Sequence, residues 1–137
     1  MLIFTFFYNQ GIIQAQGNYS SIQIGMDNQP NIATIKYFYN AGAIGGSKFG
    51  LALYDKFPKT SYNTSFFTNE GVLQGNEAGI LIRINIDTFN NEQYIYASTN
   101  NGIWIAPNVN INHFNNQGLI FGQQRGLVIN QANINTF

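Results

Sequence analysis

Residues 98–108, STNNGIWIAPN, hold the most interpretable pattern in the chain. An Asn-Gly pair at positions 101 and 102 leads into the apolar run 103–105, and Pro107 follows that run closely. Asn and Gly accept the positive φ that tight two-residue hairpin turns require. The stretch therefore predicts a β-hairpin in which residues 94–99 (YIYAST) pair antiparallel with residues 103–106 (IWIA).

Short segments that alternate apolar and polar residues recur on both sides of this hairpin. The clearest is residues 78–87, AGILIRINID, which places Ile80, Ile82, Ile84 and Ile86 on one face of a strand. Asn-Asn pairs recur at intervals of 10 and 15 residues, which is too uneven for a solenoid with a fixed repeat. About eight to eleven short strands are expected. We predict an all-β fold, namely an antiparallel β-sandwich or jelly-roll-like domain of short strands joined by Asn/Gly turns.

The length of 137 residues fits a single domain, predicted over residues 18–137. Residues 1–17 are interpreted as an N-terminal extension, either a docking strand or the remnant of a signal peptide. Residues 2–8 are apolar, but no Lys or Arg precedes them and the run breaks at residues 9–11. A signal peptide has a basic start and a longer apolar centre. No stretch approaches the ~20 apolar residues of a membrane span, so no membrane insertion is expected.

Charge is scarce: Asp, Glu, Lys and Arg make up 9% of the chain and the formal net charge is +0. The usual charged fraction is about 25%. A neutral surface has no field that would attract nucleic acid, and that class of partner is not expected. A net charge near zero also promotes association, and the aromatic content of 15% suits interfaces as well as cores. The composition therefore favours a homo-oligomer or a larger assembly.

The residues that carry most enzyme chemistry are missing or isolated. The chain has no cysteine and one histidine, His113, and it contains no nucleophile elbow, P-loop or dinucleotide-binding fingerprint. The EF-hand spacing of a calcium site is also missing. We expect no catalytic residues, no metal site and no cofactor.

Two groups of residues are candidates for binding. Four residues of the predicted hairpin combine aromatic rings with an amide, as carbohydrate sites do: Tyr94, Tyr96, Asn100 and Trp104. The alternative for Trp104 is a place in the core. Arg83 and Asp87, four residues apart on one predicted strand face, are the candidate subunit contact.

These features favour a non-catalytic structural or assembly protein. The predicted settings are a virion surface, fibre or spike domain, or a subunit of an extracellular filament. The alternative is a carbohydrate-binding β-sandwich, either lectin-like or a receptor-binding module, with a glycan as its partner. Both interpretations place the protein outside the cell or on a virion surface.

Overall fold

The computed structural model describes residues 2–26, 33–46, 48–55 and 63–137, and these residues form a parallel β-solenoid. The described residues include sixteen strands, and every strand pairing among them is parallel. The chain passes through three sheets in turn, and we call one such passage a coil. Five coils contribute a strand to each sheet, and a sixth contributes one strand.

The strands divide among the three sheets as follows. Sheet A contains β1 (Leu2–Asn9), β4 (Ala33–Asn40), β7 (Thr64–Asn69), β10 (Ile86–Asn91), β13 (Asn110–Asn116) and β16 (Asn133–Thr136). Sheet B contains β2 (Ile12–Gln14), β5 (Ala43–Gly45), β8 (Val72–Gly75), β11 (Tyr94–Ala97) and β14 (Leu119–Gly122). Sheet C contains β3 (Ile22–Ile24), β6 (Phe49–Tyr54), β9 (Ala78–Arg83), β12 (Asn101–Ile105) and β15 (Arg125–Ile129).

The predicted antiparallel sandwich or jelly-roll is wrong, and so is the hairpin on which it rested. Strand β11 pairs with β8 and β14 in sheet B, whereas β12 pairs with β9 and β15 in sheet C. Residues 98–100 form a corner between the two sheets rather than a hairpin turn. Each strand thus takes its neighbours from the coils before and after it, not from the adjacent segment of its own coil.

The prediction that an uneven repeat excludes a solenoid is also wrong. Equivalent Asn residues of successive coils are separated by 31, 29, 22 and 25 residues. The strands stay in register while the segments between them vary in length. A solenoid therefore tolerates an uneven sequence period, because only the stacked positions have to match.

The predicted strand at residues 78–87 is in fact two strands separated by a corner. Strand β9 ends at Arg83 and β10 begins at Ile86, with residues 84 and 85 between them. The four isoleucines of this segment are all buried, as the alternation predicted: Ile80, Ile82, Ile84 and Ile86. The alternation therefore predicts correctly which side chains point inward, but it does not predict that the chain changes sheet between Arg83 and Ile86.

A stack of phenylalanines runs behind sheet A, with one ring from each coil; its middle rings are interior and its last ring, Phe137, is exposed. The rings are Phe7, Phe38, Phe67, Phe89, Phe114 and Phe137. Neighbouring ring centroids are 4.6 to 5.0 Å apart, and the ring planes lie within 16° of parallel. The four middle rings are at most 1% exposed, so this stack is a large part of the core.

A ladder of asparagines runs beside that stack, at the corner between sheets A and B. Its members are Asn9, Asn40, Asn69, Asn91 and Asn116. Each Nδ2 donates to the Oδ1 of the next member at 2.8 to 2.9 Å. Each Nδ2 also donates to the carbonyl oxygen two residues further along its own coil. The ladder satisfies buried amide groups and holds the corners in register.

Glycine stands two residues after four of the five ladder asparagines, and at three of these glycines the coils approach closely. A Cβ on Gly42 would lie 2.0 Å from the carbonyl oxygen of Gly11, and one on Gly71 would lie 2.0 Å from that of Gly42. No side chain fits such a distance unless the backbone shifts. Glycine is therefore required by packing at positions 42, 71 and 118, whereas the fourth coil has Gln93 after Asn91 and a Cβ on Gly11 would meet no atom closer than 3.9 Å.

Residues 1–17, which were predicted to form an extension, supply the first two strands of the solenoid. Strand β1 pairs with β4, and β2 pairs with β5. Residue 1 lies outside the described residues.

Candidate functional site

The four predicted carbohydrate-binding residues do not share one face. Tyr94 and Tyr96 project outward from sheet B and are 51% and 36% exposed, whereas Trp104 projects from sheet C. Asn100 lies at the corner between these sheets, where its Oδ1 accepts a hydrogen bond from Gln124 Nε2 at 3.0 Å. The proposed grouping depended on the incorrect hairpin, and carbohydrate binding at these four residues stays a prediction.

Arg83 and Asp87 are also separated by a corner. Arg83 ends β9 in sheet C, where its guanidinium carbon lies 5.8 Å from the ring centroid of Tyr54. Asp87 lies in β10 of sheet A, and its Oδ1 accepts a hydrogen bond from Asn112 Nδ2 at 2.9 Å. They do not form one strand face, and a subunit contact at either residue stays a prediction.

The outer face of sheet A carries two rows of exposed aromatic side chains in the first three coils. We call these five residues the aromatic face: Phe6, Tyr8, Tyr37, Tyr39 and Phe66. The strand register aligns Phe6, Tyr37 and Phe66 in one row, with centroids 6.4 and 5.9 Å apart. Tyr8 and Tyr39 form the second row, with centroids 5.1 Å apart. Four of the five are exposed by 41% to 60%.

A shallow groove of about 320 Å³ separates the two rows. Phe38, whose ring belongs to the interior stack, and Thr68 complete its lining. The groove is therefore lined almost entirely by aromatic side chains. Tyr8 and Tyr39 lie within 9° of parallel and Tyr37 and Phe66 within 7°, whereas Phe6 is tilted by 38° from Tyr37.

The same rows continue as polar side chains in the later coils. Thr88, His113 and Thr136 follow Phe66 in the first row. The second row passes through Thr68 to Asn90 and Asn115, whose side chains are joined by a hydrogen bond of 2.9 Å. The fold accepts threonine and asparagine at these positions, so it does not require aromatic residues in the first three coils.

A tyrosine–carboxylate pair borders the aromatic face at the corner between sheets A and B. The Tyr39 hydroxyl donates a short hydrogen bond to Glu70 Oε2. This bond, with burial and the negative charge of Glu70 as smaller causes, raises the pKa of Tyr39 to about 12. The pair fixes the ring of Tyr39 at one end of its row.

A second, smaller apolar surface lies on sheet B in the fourth and fifth coils. Tyr94 and Leu119 are aligned there, as are Tyr96 and Phe121, whose rings stack with centroids 5.5 Å apart. Leu119 is 53% exposed and Phe121 is 45% exposed. This surface provides a natural control for experiments on the aromatic face.

The described part of the chain shows no arrangement for metal or membrane chemistry. Its His, Asp and Glu side chains form no group of three that could hold a metal ion. None of its segments is a helix long and apolar enough to cross a membrane.

Comparisons of the chain with protein-family models, with curated proteins and with solved structures gave no match.

Sequence reasoning overlooked the aromatic face, although its signal is present. Residues 6–8 (FFY), 37–39 (YFY) and 66–67 (FF) place aromatic residues next to each interior Phe of the first three coils. Once the interior Phe of each coil is known, its aromatic neighbours have to point outward, because successive strand residues alternate between faces.

Proposed function

We propose that this chain is a non-catalytic structural module of a multi-chain assembly, and that the aromatic face is its lateral contact. The setting we propose is a virion surface, fibre or spike, or an extracellular filament. The exposed aromatic face carries this proposal.

The aromatic face has the properties of a buried contact rather than of a solvated surface. Monomeric proteins rarely expose contiguous apolar patches larger than a few hundred Å², and larger ones mark interaction sites. Aromatic residues are enriched at protein interfaces and charged residues are depleted there, as on this face. Because later coils carry polar residues at the same positions, the solenoid itself does not account for the aromatic rings.

The interior of the solenoid suits a structural role. The Phe stack and the Asn ladder connect each coil to the next through the same contacts, so stability accumulates along the axis as in other repeat folds. A low surface charge also leaves little repulsion to oppose association between copies.

The experiment compares the mass of the chain in solution with that of two double variants. Tyr37→Thr with Phe66→Thr introduces the residue that the fold already accepts at Thr88 in the same row. Tyr94→Thr with Leu119→Thr makes a similar apolar-to-polar change on sheet B.

Sedimentation velocity of the unmodified chain should show a species larger than a monomer. The sheet A variant should sediment as a monomer with an unchanged circular dichroism spectrum, and the sheet B variant should keep the larger mass. A monomeric unmodified chain at ~100 μM, or an equally large sheet A variant, contradicts the proposal, since even weak specific complexes form at this concentration.

A further inference from the structure

A polar notch lies on the outer face of sheet B in the first three coils, away from the aromatic face. Its volume is about 380 Å³, and Gly45 forms its floor. Gln14 lies on one side of Gly45 and Gln74 on the other, because these three residues are aligned in consecutive strands. Gln16 and Asn76 complete a lining in which four side chains end in primary amides.

The fold does not require glycine at position 45. The φ of Gly45 is not among the positive values of the described residues, and a Cβ built on it would meet no atom within 4 Å. The neighbouring Gly46 is different, because its Cβ would lie 2.5 Å from the carbonyl oxygen of Phe49. Later coils place Tyr96 and Phe121 in the row of Gly45. The absence of a side chain at position 45 therefore creates the notch, although neither the backbone conformation nor the packing requires glycine there.

The amides around the notch are available to a ligand. Among the described residues, the side chains of Gln14, Gln16 and Gln74 make no hydrogen bond, and all three are exposed. Asn76 is also exposed, and its Oδ1 accepts a hydrogen bond from Ser98 Oγ at 2.9 Å, while its Nδ2 donates to no described residue. The lining therefore offers several donors and acceptors within a space of small-molecule size.

The chemistry of the lining selects one class of ligand. A primary amide carries two N–H donors beside a carbonyl acceptor, and adjacent sugar hydroxyls both donate and accept. None of the described residues that line the notch is Lys, Arg, Asp or Glu, so they offer no counter-charge to a charged ligand. We infer that the notch binds a neutral mono- or disaccharide, held between Gln14 and Gln74 with one edge over Gly45. This site is separate from the aromatic face and does not depend on assembly.

The test titrates the whole chain with neutral sugars and follows the ligand signals by saturation-transfer-difference NMR. The probes are glucose, galactose, mannose, N-acetylglucosamine and their common disaccharides, with glucuronate as the charged counterpart of glucose. At least one neutral sugar should show saturable transfer. Glucuronate should bind more weakly than glucose.

Variants locate the site. Gly45→Leu fills the notch and should weaken binding by at least tenfold. The control is Ala43→Leu, which adds the same side chain to the same face of the same strand but outside the notch lining. The affinity of this variant for the sugar should stay within twofold of that of the unmodified chain. Gln14→Ala with Gln74→Ala removes both amide side chains without filling the space, and it should weaken binding even if Gly45→Leu fails to fold.

The inference is overturned if none of the neutral sugars shows saturable transfer, if glucuronate binds more tightly than glucose, or if a folded Gly45→Leu chain keeps its affinity. Equal loss in the Ala43→Leu control would also contradict a site at the notch. The solution mass of the chain does not enter this test, so its outcome is distinct from that of the assembly experiment.

Discussion

Replacing Asn69 by alanine removes the middle of the asparagine ladder. Asn69 is fully buried, its Nδ2 donates to Asn91 Oδ1 at 2.9 Å, and its Oδ1 accepts from Asn40 Nδ2 at 2.8 Å. The same Nδ2 donates to the carbonyl oxygens of Gly71 and Tyr94 at 3.0 and 3.2 Å. Alanine can make none of these bonds, and the partners lie where water does not easily replace the lost atoms.

The cost follows from the number of buried groups that lose a partner. Each buried polar group left without one costs about 1–3 kcal/mol. Without Asn69, Asn91 Oδ1 loses its ladder partner, and Asn40 Nδ2 loses one acceptor but still donates to the carbonyl oxygens of Gly42 and Val72. Asn69→Ala should therefore lower the free energy of unfolding by ~3 kcal/mol. Asn116→Ala removes the same atoms from the exposed end of the ladder, where only Asn91 Nδ2 loses a partner and water replaces it. This control variant should lower the free energy of unfolding by only ~1 kcal/mol.

Equilibrium urea denaturation, followed by circular dichroism, measures both variants. With an m-value of ~2 kcal/mol/M, Asn69→Ala should lower the midpoint by ~1.5 M and Asn116→Ala by ~0.5 M. Equal midpoints for the two variants would refute the argument that burial of the ladder, rather than local asparagine geometry, stabilises the solenoid.

Two further predictions concern close packing and ionisation. Gly71→Ala would place a Cβ 2.0 Å from the carbonyl oxygen of Gly42 and should lower Tm by ~10 °C. A Cβ on Gly45 would meet no atom within 4 Å, so Gly45→Ala should change Tm by less than ~2 °C. Similar melting curves for the two variants would contradict the close approach of the coils at Gly71. Spectrophotometric titration should give Tyr39 a pKa of about 12, and Glu70→Gln should return it toward 10.0. Because the pKa of Tyr39 is raised in the folded state, the stabilisation from the Tyr39–Glu70 pair is complete below pH 10 and is lost as the pH rises through 12. A Tyr39 titration that Glu70→Gln leaves unchanged would exclude Glu70 as the cause of the raised pKa.

Much of the local structure could be predicted from the sequence. The alternation at residues 78–87 identifies the buried isoleucines correctly, because an inward apolar side chain is required in any sheet with a covered face. Asn and Gly mark the changes of chain direction in corners as they do in hairpins, because both residues adopt the backbone conformations that turns require.

The repeat itself is also visible once its chemistry is known. The pattern Phe-x-Asn-x-Gly begins at Phe7, Phe38, Phe67 and Phe114, and Phe89 begins a variant that ends in Gln. Phe supplies the interior stack, Asn supplies the ladder, and Gly permits the close approach of coils. A search for a constant period misses this pattern because the intervening segments differ in length.

The candidate sites could not be predicted in the same way. The aromatic face combines side chains from β1, β4 and β7, and the notch over Gly45 combines β2, β5 and β8. Each site exists only because strands about 30 residues apart in sequence lie next to each other.

The sequence by itself determined the all-β class, the buried face of each clear strand and the positions of several turns, because these depend on the properties of neighbouring residues. The tertiary structure alone decided which strands pair, and in which direction. Alternation has a period of two in parallel and antiparallel sheets alike, so it does not identify a partner strand. That choice was made by the stacked Phe rings and the Asn ladder, whose contacts form only when one coil lies directly on the next.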